Sequence, residues 1–295
     1  MRLSGIIPPL LTPFTESGDV DFDRIPVLVQ FMKPYVRGFF VCGTYGSGPL
    51  MNVDERKDVF DAVARCVDDS YQLVAHIGAA SQRDTLELAL HAAQHHAKAV
   101  TAVAPYYYHH DEETLFEYFR ELIRSVQIPV YLYDNPGASG NPISPELINR
   151  LADIGLSGVK DSTFDIGKTY AVMRRVQRQD FDVVIGSESL LLPAFAMGAQ
   201  ACVAGLANVM PELVSRLYEA ACSNNLELAR ELQTYVLKMW DVLHYGPSVP
   251  TAIAMLLIRG VDAGYPRKPM RALGKATCAK VEAAMRENQS LWDFQ

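Results

Sequence analysis

The chain has 295 residues, of which 49% are hydrophobic and 21% are charged, and its formal net charge is -7. This composition is typical of a soluble globular protein, and the length suits one large domain or two ordinary ones. The sequence has no long Lys/Arg block, so it predicts no nucleic-acid partner and no anionic membrane partner.

The N-terminal segment MRLSGIIPPLLTPF has neither a long apolar region nor a small-residue cleavage site, so we predict no signal peptide. The five cysteines are widely spaced, odd in number and without a Cys-x-x-Cys pair. We interpret them as buried thiols in a reducing compartment, which predicts a cytoplasmic protein. The uncharged stretch 189–211 is long enough to span a bilayer. Its Pro193, Gly198 and Gln200 instead favour a buried helix, a turn and a buried strand.

Eight short apolar segments alternate with amphipathic helical segments along the first three quarters of the chain. Strands are predicted at residues 4–10, 38–43, 72–78, 99–105, 129–134, 156–160, 182–186 and 200–205. Helices are predicted among them at residues 24–33, 53–67, 82–95, 112–126 and 146–154. The strands are almost continuously apolar, which is typical of parallel strands covered on both faces.

This alternation predicts an α/β fold, a (β/α)8 TIM barrel, over residues 1–222. An open doubly wound sheet is the alternative, because the alternation alone does not show closure. Residues 223–295 are predicted to form a C-terminal helical extension, with helices at 226–243, 249–259 and 270–286. Helix starts are predicted at Asn52, where Glu55 completes a capping box, and at Ser144. Gly155 is predicted to end a helix.

The active site of such a barrel lies at the C-terminal ends of the strands. The residues there include a lysine, several hydroxyl groups and flexible glycines. They are Gly43-Thr44-Tyr45-Gly46, Pro105-Tyr106-Tyr107, Tyr133-Asp134-Asn135-Pro136, Lys160-Asp161-Ser162, Gly186-Ser187-Glu188 and Ala204-Gly205.

Lys160 follows apolar residues at the end of a predicted strand. Burial would lower the pKa of its amine, and a neutral amine can attack a ketone to form a Schiff base. The alternative is a structural ion pair with Asp161 or another carboxylate. Tyr133, at the end of the preceding strand, favours the Schiff base, because a phenol can supply the proton transfers that imine chemistry needs.

Two further sequence patterns could indicate ligand binding. The loop at residues 43–48 can form a backbone anion nest or a plain tight turn, but it matches no dinucleotide or nucleotide motif. His91 and His95 have the i, i+4 spacing of metal ligands. Position 92 is Ala, so the glutamate of a zinc-protease motif is missing, and we interpret both as surface or interface histidines. The prediction is an enzyme without a metal.

The chain resembles the dihydrodipicolinate synthase / N-acetylneuraminate lyase family of pyruvate-dependent class I aldolases over nearly its whole length. The resemblance rests on motifs at several strand ends. They are Gly5 to Phe14 (GIIPPLLTPF), Gly43-Thr44-x-Gly46, Pro105-Tyr-Tyr107, Tyr133-Asp-Asn-Pro136 and Gly158-Val-Lys-Asp-Ser162. The resemblance implies a (β/α)8 barrel with C-terminal helices, a homotetramer, and no cofactor other than the covalent lysine imine with the substrate.

The resemblance also implies roles for individual residues. Lys160 would form the imine with a 2-keto acid, Tyr133 would shuttle protons, and Thr44 would be its hydroxyl partner. Tyr107 matches a tyrosine that often reaches a neighbouring subunit's site. The backbone from Gly43 to Gly46 would hold the substrate carboxylate, and Gly186 and Gly205 would line the pocket.

Three differences from the dihydrodipicolinate synthase pattern narrow the choice of substrate. Dihydrodipicolinate synthases carry an arginine where this chain has Ala138, and the usual second threonine is Tyr45 here. With Ser47 in place of a glutamate, the run Gly46-Ser-Gly-Pro49 resembles 2-keto-3-deoxygluconate aldolases. The phenol of Tyr45 either replaces the hydroxyl of that threonine in relaying protons or fills the pocket.

The leading hypothesis is therefore reversible cleavage of a 2-keto-3-deoxy sugar acid to pyruvate and an aldehyde. Within the family, the alternatives are a dihydrodipicolinate synthase-like enzyme, or another lyase or hydratase-aldolase with an aromatic aldehyde. Outside it, the alternatives are a non-catalytic binding barrel and a metal-dependent class II aldolase.

Overall fold

The computed structural model describes residues 2–292. Eight parallel strands form one sheet in the order β1-β8-β7-β6-β5-β4-β3-β2. The strands are β1 (Gly5–Ile6), β2 (Gly38–Val41), β3 (Gln72–His76), β4 (Ala99–Val103), β5 (Val130–Asp134), β6 (Gly158–Asp161), β7 (Asp182–Ile185) and β8 (Ala201–Cys202). All eight predicted strands are confirmed, and the fold is a (β/α)8 TIM barrel rather than an open sheet.

The chain next to β1 closes the barrel against β2. Phe40 N–H donates to the Pro8 carbonyl, and Leu10 N–H donates to the Phe40 carbonyl, each at 2.9 Å. The strand predicted at 4–10 is shortened to β1, because Pro8 and Pro9 have no N–H to donate to a ladder.

Asn208 links the segment after β1 to the turn after β8. This fully buried side chain accepts a hydrogen bond from Leu11 N–H at 3.1 Å. Its amide nitrogen donates to the carbonyls of Pro9 at 3.0 Å and Gly205 at 3.1 Å. The backbone of Gly205 is thereby fixed at the mouth of the barrel.

Helices cover the outside of the sheet. They are α1 (Arg24–Met32), α2 (Val53–Ala64), α3 (Gln82–Gln94), α4 (Glu112–Ser125), α5 (Pro136–Ser139), α6 (Pro145–Asp153), α7 (Ile166–Arg175), α8 (Leu191–Ala196) and α9 (Pro211–Cys222). The Asn52–Glu55 capping box starts α2, and Ser144 caps α6. Gly155 follows α6 with φ +115°, a conformation that glycine adopts without strain.

The C-terminal helices are α10 (Leu226–Leu243), α11 (Ser248–Ile258) and α12 (Lys275–Glu287). Their apolar faces share one hydrophobic core with the barrel helices, as Leu217 of α9 and Val236 of α10 illustrate. The prediction of a helix from residue 270 is wrong at its start. Gly274 is extended, and α12 begins only at the next residue. The division into 1–222 and 223–295 stays a prediction.

The structure bears on the predictions about a membrane span and about the cysteines. None of the helices among residues 2–292 is long and apolar enough to cross a membrane. The stretch 189–211 folds into α8, β8 and two 3-10 turns, as its helix-turn-strand interpretation predicted. All five cysteines are free thiols, but only Cys42 and Cys202 are buried. The prediction of buried thiols is therefore wrong for Cys222, which is exposed, and for Cys66 and Cys278, which are half-buried. The reducing compartment stays a prediction.

Candidate active site

Lys160 lies inside the barrel, close to the C-terminal end of β6. Its register partner on β5 is Tyr133, so the two side chains lie side by side on the inner face of the sheet. Lys160 Nζ lies 3.6 Å from the centroid of the Tyr133 ring and 4.2 Å from that of Phe40. Only 4% of Lys160 is exposed. The amine is thus enclosed by two aromatic rings.

The part of the chain that the structure describes offers Lys160 no carboxylate partner. Among residues 2–292, no Asp or Glu oxygen lies within 4.0 Å of its Nζ. Asp161 points elsewhere and accepts hydrogen bonds from the hydroxyls of Thr163, at 2.7 Å, and Thr169, at 2.6 Å. The structure therefore excludes the alternative of an ion pair with Asp161.

Burial lowers the pKa of the Lys160 amine, and the negative charges of Tyr133 and Glu188 oppose this shift only in part. A comparison of the two opposing free energies also predicts a lowered pKa. Taking an ammonium out of water costs several kcal/mol, whereas a cation–π contact contributes roughly 2 kcal/mol when desolvated. The cage of rings therefore favours the neutral amine, which is the nucleophilic form.

The Tyr133 hydroxyl is surrounded by polar groups. Asn135 Nδ2 donates to it at 3.0 Å, and Thr44 Oγ1 makes a longer contact with it at 3.4 Å. Burial would raise the pKa of Tyr133, but the charge of Lys160 and hydrogen bonds from Thr44, Lys160 and Ser162 outweigh it and lower the pKa. A phenol with a lowered pKa is suited to accept and return a proton.

Gly186 makes room for this arrangement. A Cβ atom at this position would lie 2.1 Å from Ser162 Oγ and 3.2 Å from Lys160 Cε. Any side chain would therefore displace the hydroxyl or the stem of the lysine. This close approach gives a physical reason for glycine at a position where resemblance had suggested only that it lines the pocket.

The loop after β2 holds Thr44 at the mouth. Gly48 N–H donates to the Gly43 carbonyl at 3.0 Å, which closes a tight turn. A Cβ at Gly46 would approach the Leu10 carbonyl to 2.8 Å. Within residues 2–292, the backbone N–H groups of Thr44 and Tyr45 donate to no protein acceptor, so they are free to bind a ligand anion.

Tyr45 packs against Gly205 at the edge of the pocket. A Cβ at Gly205 would lie 2.2 Å from Tyr45 Cζ. Burial, reinforced by the charge of Glu188, raises the pKa of this phenol, and its hydroxyl is hydrogen-bonded to Ser248 of α11. Tyr45 therefore fills the edge of the pocket rather than joining the pair of Thr44 and Tyr133.

Tyr107 and Ala138 lie on the exposed side of the mouth. Tyr107 is 86% exposed, has φ +87° and packs edge-on against Tyr108 with 5.0 Å between ring centroids. Such a backbone angle is strained for a non-glycine residue and is often found at functional sites. Ala138 is exposed on α5. The structure thus does not join Tyr107 to Thr44 and Tyr133 within one chain.

Three groups without a predicted role surround the lysine and the phenol. Phe40 forms one wall of the lysine cage, Asn135 donates to Tyr133, and Ser162 contacts the same hydroxyl. Asn135 and Ser162 were visible only as polar residues at strand ends. Phe40 looked like an ordinary apolar residue of a strand, and no sequence signal distinguished it.

A family model described as the dihydrodipicolinate synthetase family matches residues 2–288. The chain belongs to this family. An uncharacterized DapA-like lyase of Halobacterium salinarum is 36% identical over 96% of this chain and 93% of the relative. The N-acetylneuraminate lyase of Rhizobium meliloti is 32% identical over 97% of this chain and 95% of its own.

Solved structures also superpose closely on the chain. A variant of the 2-keto-3-deoxygluconate aldolase of Sulfolobus solfataricus matches with a TM-score of 0.90 at 25% identity, covering 97% of this chain and 96% of that one. Family aldolases form a Schiff base with pyruvate through a lysine and use no added cofactor. The chain is accordingly a class I pyruvate-dependent aldolase or lyase.

Replacing Asn135 tests the hydrogen bond to the phenol. Asn135→Ala removes a donor to Tyr133, so we expect the pKa of that phenol to rise. A lost hydrogen bond of about 1.4 kcal/mol corresponds to a roughly tenfold lower kcat. The rising limb of kcat/KM against pH should also move to higher pH, because less phenolate is present.

The matched control is Asn149→Ala, which removes the same side chain from α6 on the outside of the barrel. Steady-state kinetics across pH on the three proteins decides the question. An unchanged kcat and an unchanged pH profile in Asn135→Ala would show that the 3.0 Å contact has no part in the proton transfer.

Proposed function

We propose that the protein reversibly cleaves a 2-keto-3-deoxy sugar acid to pyruvate and an aldehyde, with Lys160 as the Schiff-base lysine. The observation that carries this proposal is the buried amine of Lys160, enclosed by Tyr133 and Phe40 without a carboxylate partner. A lysine in this setting has lost the hydration that favours its charged form, which suits it to nucleophilic attack.

The cleavage follows from this geometry. The neutral Lys160 amine adds to the keto carbon to give a carbinolamine. Tyr133, as the neutral phenol, gives its proton to the departing hydroxyl group, so that water leaves, a protonated imine forms and Tyr133 becomes a phenolate. Tyr133 as phenolate takes the proton of the C4 hydroxyl, the C3–C4 bond breaks, and the electron pair moves to the imine as an enamine. The aldehyde leaves, and Tyr133 returns the proton to C3. Water then hydrolyses the protonated imine to pyruvate and the neutral Lys160 amine, and the proton released goes back to the Tyr133 phenolate.

The substrate carboxylate would bind at the loop after β2. The unengaged N–H groups of Thr44 and Tyr45 offer it two donors, while the side chain of Tyr45 closes that edge of the pocket against Gly205. Backbone donors can hold an anion without placing a second cation next to the iminium.

The polar groups near the lysine support a hydroxylated substrate. Thr44, Asn135 and Ser162 are uncharged and can exchange hydrogen bonds with sugar hydroxyls. Position 138, where dihydrodipicolinate synthases carry an arginine, is an exposed alanine. A second substrate carboxylate would therefore have no guanidinium at that position.

Condensation assays test the substrate class. With pyruvate as donor, we expect turnover with short polyhydroxylated aldehydes such as glyceraldehyde. We expect kcat/KM at least tenfold lower with aspartate semialdehyde and with benzaldehyde. Product formation is measured by chromatography and mass spectrometry.

The variant Ala138→Arg is the matched partner in the same assay. It should raise kcat/KM for aspartate semialdehyde relative to glyceraldehyde, because the guanidinium pairs with the second carboxylate. Preference of the unmodified protein for aspartate semialdehyde or benzaldehyde would overturn the sugar-acid proposal and leave the Schiff-base chemistry standing. Loss of turnover on treatment with a chelator would favour a metal-dependent aldolase.

We further propose a homotetramer in which Tyr107 completes the site of a neighbouring subunit. Tyr107 and Tyr108 are 86% and 69% exposed and lie together at the barrel mouth. Exposed large aromatic side chains are common in protein–protein interfaces. The strained backbone of Tyr107 also supports a functional position.

Sedimentation velocity and activity on Tyr107→Phe and Tyr107→Ala test this arrangement. We expect a tetramer for the unmodified protein. Tyr107→Ala should lower activity at least tenfold, and Tyr107→Phe should separate the role of the hydroxyl from that of the ring. A fully active monomer, or full activity in Tyr107→Ala, would contradict a contribution across subunits.

A further inference from the structure

A cluster of three potential metal ligands lies on the outer wall of the barrel, between α2 and α3. His91, in the last turn of α3, places Nε2 2.9 Å from Asp61 Oδ1. His95, which ends the same helix, places Nδ1 3.0 Å from that oxygen. The two imidazole rings stack with 3.9 Å between their centroids. Asp61 comes from α2, so the cluster joins two neighbouring helices.

The geometry is close to that of a metal site. The ligand atoms of the three residues all lie within 4.8 Å of one another. Ligands about 2.0–2.1 Å from a tetrahedral zinc are roughly 3.3 Å apart. The two N···O distances therefore need to open by only a few tenths of an ångström to admit an ion. The stacked rings must also rotate, because an imidazole nitrogen binds a metal in the plane of its own ring. Both changes are side-chain rotations and leave the two helices in place.

The donor set selects a class of metal. Two imidazole nitrogens and one carboxylate oxygen suit zinc and the neighbouring divalent transition metals. Calcium and magnesium prefer all-oxygen sites. The side chains of His91, His95 and Asp61 are 18%, 44% and 23% exposed, so an ion can reach them from solvent.

We propose that Asp61, His91 and His95 bind one zinc-class divalent cation, with water as the fourth ligand, and that the ion ties α2 to α3. Lys57, one turn before Asp61 on α2, is paired with Glu87 and Asp54. The catalytic lysine lies inside the barrel on β6, whereas these ligands lie on its outer helices. The ion therefore contributes to stability and takes no part in imine chemistry.

The competing explanation is a hydrogen-bonded clasp, in which both imidazoles donate to Asp61 and no ion enters. Isothermal titration calorimetry with the full-length protein distinguishes the two. After chelator treatment and buffer exchange, zinc chloride should bind with one equivalent per chain, and magnesium chloride should give no saturable heat. Zinc should also raise the melting temperature.

Single substitutions test whether the measured heat of zinc binding comes from Asp61, His91 and His95. His91→Ala and His95→Ala should each weaken zinc binding at least tenfold, and Asp61→Asn should do so while preserving the volume of the side chain. His96→Asn is the matched control, since it removes an exposed neighbouring imidazole at a left-handed position (φ +67°) that Asn tolerates. Its zinc affinity should be unchanged.

Two outcomes would overturn the proposal. One is the absence of saturable zinc binding in the unmodified protein, which would leave a hydrogen-bonded clasp only. The other is unchanged binding in folded Asp61→Asn, His91→Ala and His95→Ala, which would place the ion elsewhere. Chelator treatment should leave aldol activity intact, so this result and that of the aldehyde assays are independent.

Discussion

The candidate site depends on one constraint, the removal of the Lys160 amine from water. The aromatic rings of Tyr133 and Phe40 take the place of solvent, and no carboxylate of residues 2–292 lies within ion-pair distance of the amine. Because desolvation opposes the ammonium form, the same burial that would destabilise a structural lysine prepares this one for attack on a carbonyl. The proposed role of Lys160 as nucleophile accounts for a lysine after apolar residues on a buried strand.

The barrel makes that burial possible through register and space. Pairing of β5 with β6 sets Tyr133 beside Lys160. Gly186 on the next strand leaves room for the lysine stem and the Ser162 hydroxyl. The turn after β2 brings Thr44 to the phenol. Side chains or backbone from β5, β6, the end of β7 and the turn after β2 therefore surround one amine, and only 4% of Lys160 is exposed to solvent.

Much of this could be predicted from the sequence. Eight apolar strands at regular spacing indicated the barrel, and the polar residues at their ends indicated Lys160, Tyr133 and Thr44. Strand ends meet in a barrel whatever the details of packing, so this prediction needs only the order of the elements. The position of Tyr45 could not be predicted, because it depends on the ring packing against Gly205 and on the bond to Ser248, which is 203 residues away along the chain.

Other features depend on contacts between distant segments that spacing does not encode. Phe40 acquires its role only because the barrel brings β2 close to Lys160 on β6. The hydrogen bond from Asn135 to Tyr133 is local, but it depends on a side-chain orientation that the sequence does not show. His91 and His95 could be recognised as a spaced pair, but Asp61 lies on another helix, and the sequence gave no sign that it joins them. The start of α12 was misplaced because the extended conformation of Gly274 interrupts a pattern that reads as continuous.

The most direct test of the account is to trap the imine. Pyruvate is added to the protein, borohydride reduces any Schiff base, and peptide mass spectrometry locates the adduct, with Lys160→Met as the control. The account predicts a reduced pyruvyl adduct on Lys160, no adduct on the other lysines, and none in the control. A folded protein without an adduct, or with its adduct on a different lysine, would contradict the role of Lys160 as the nucleophile.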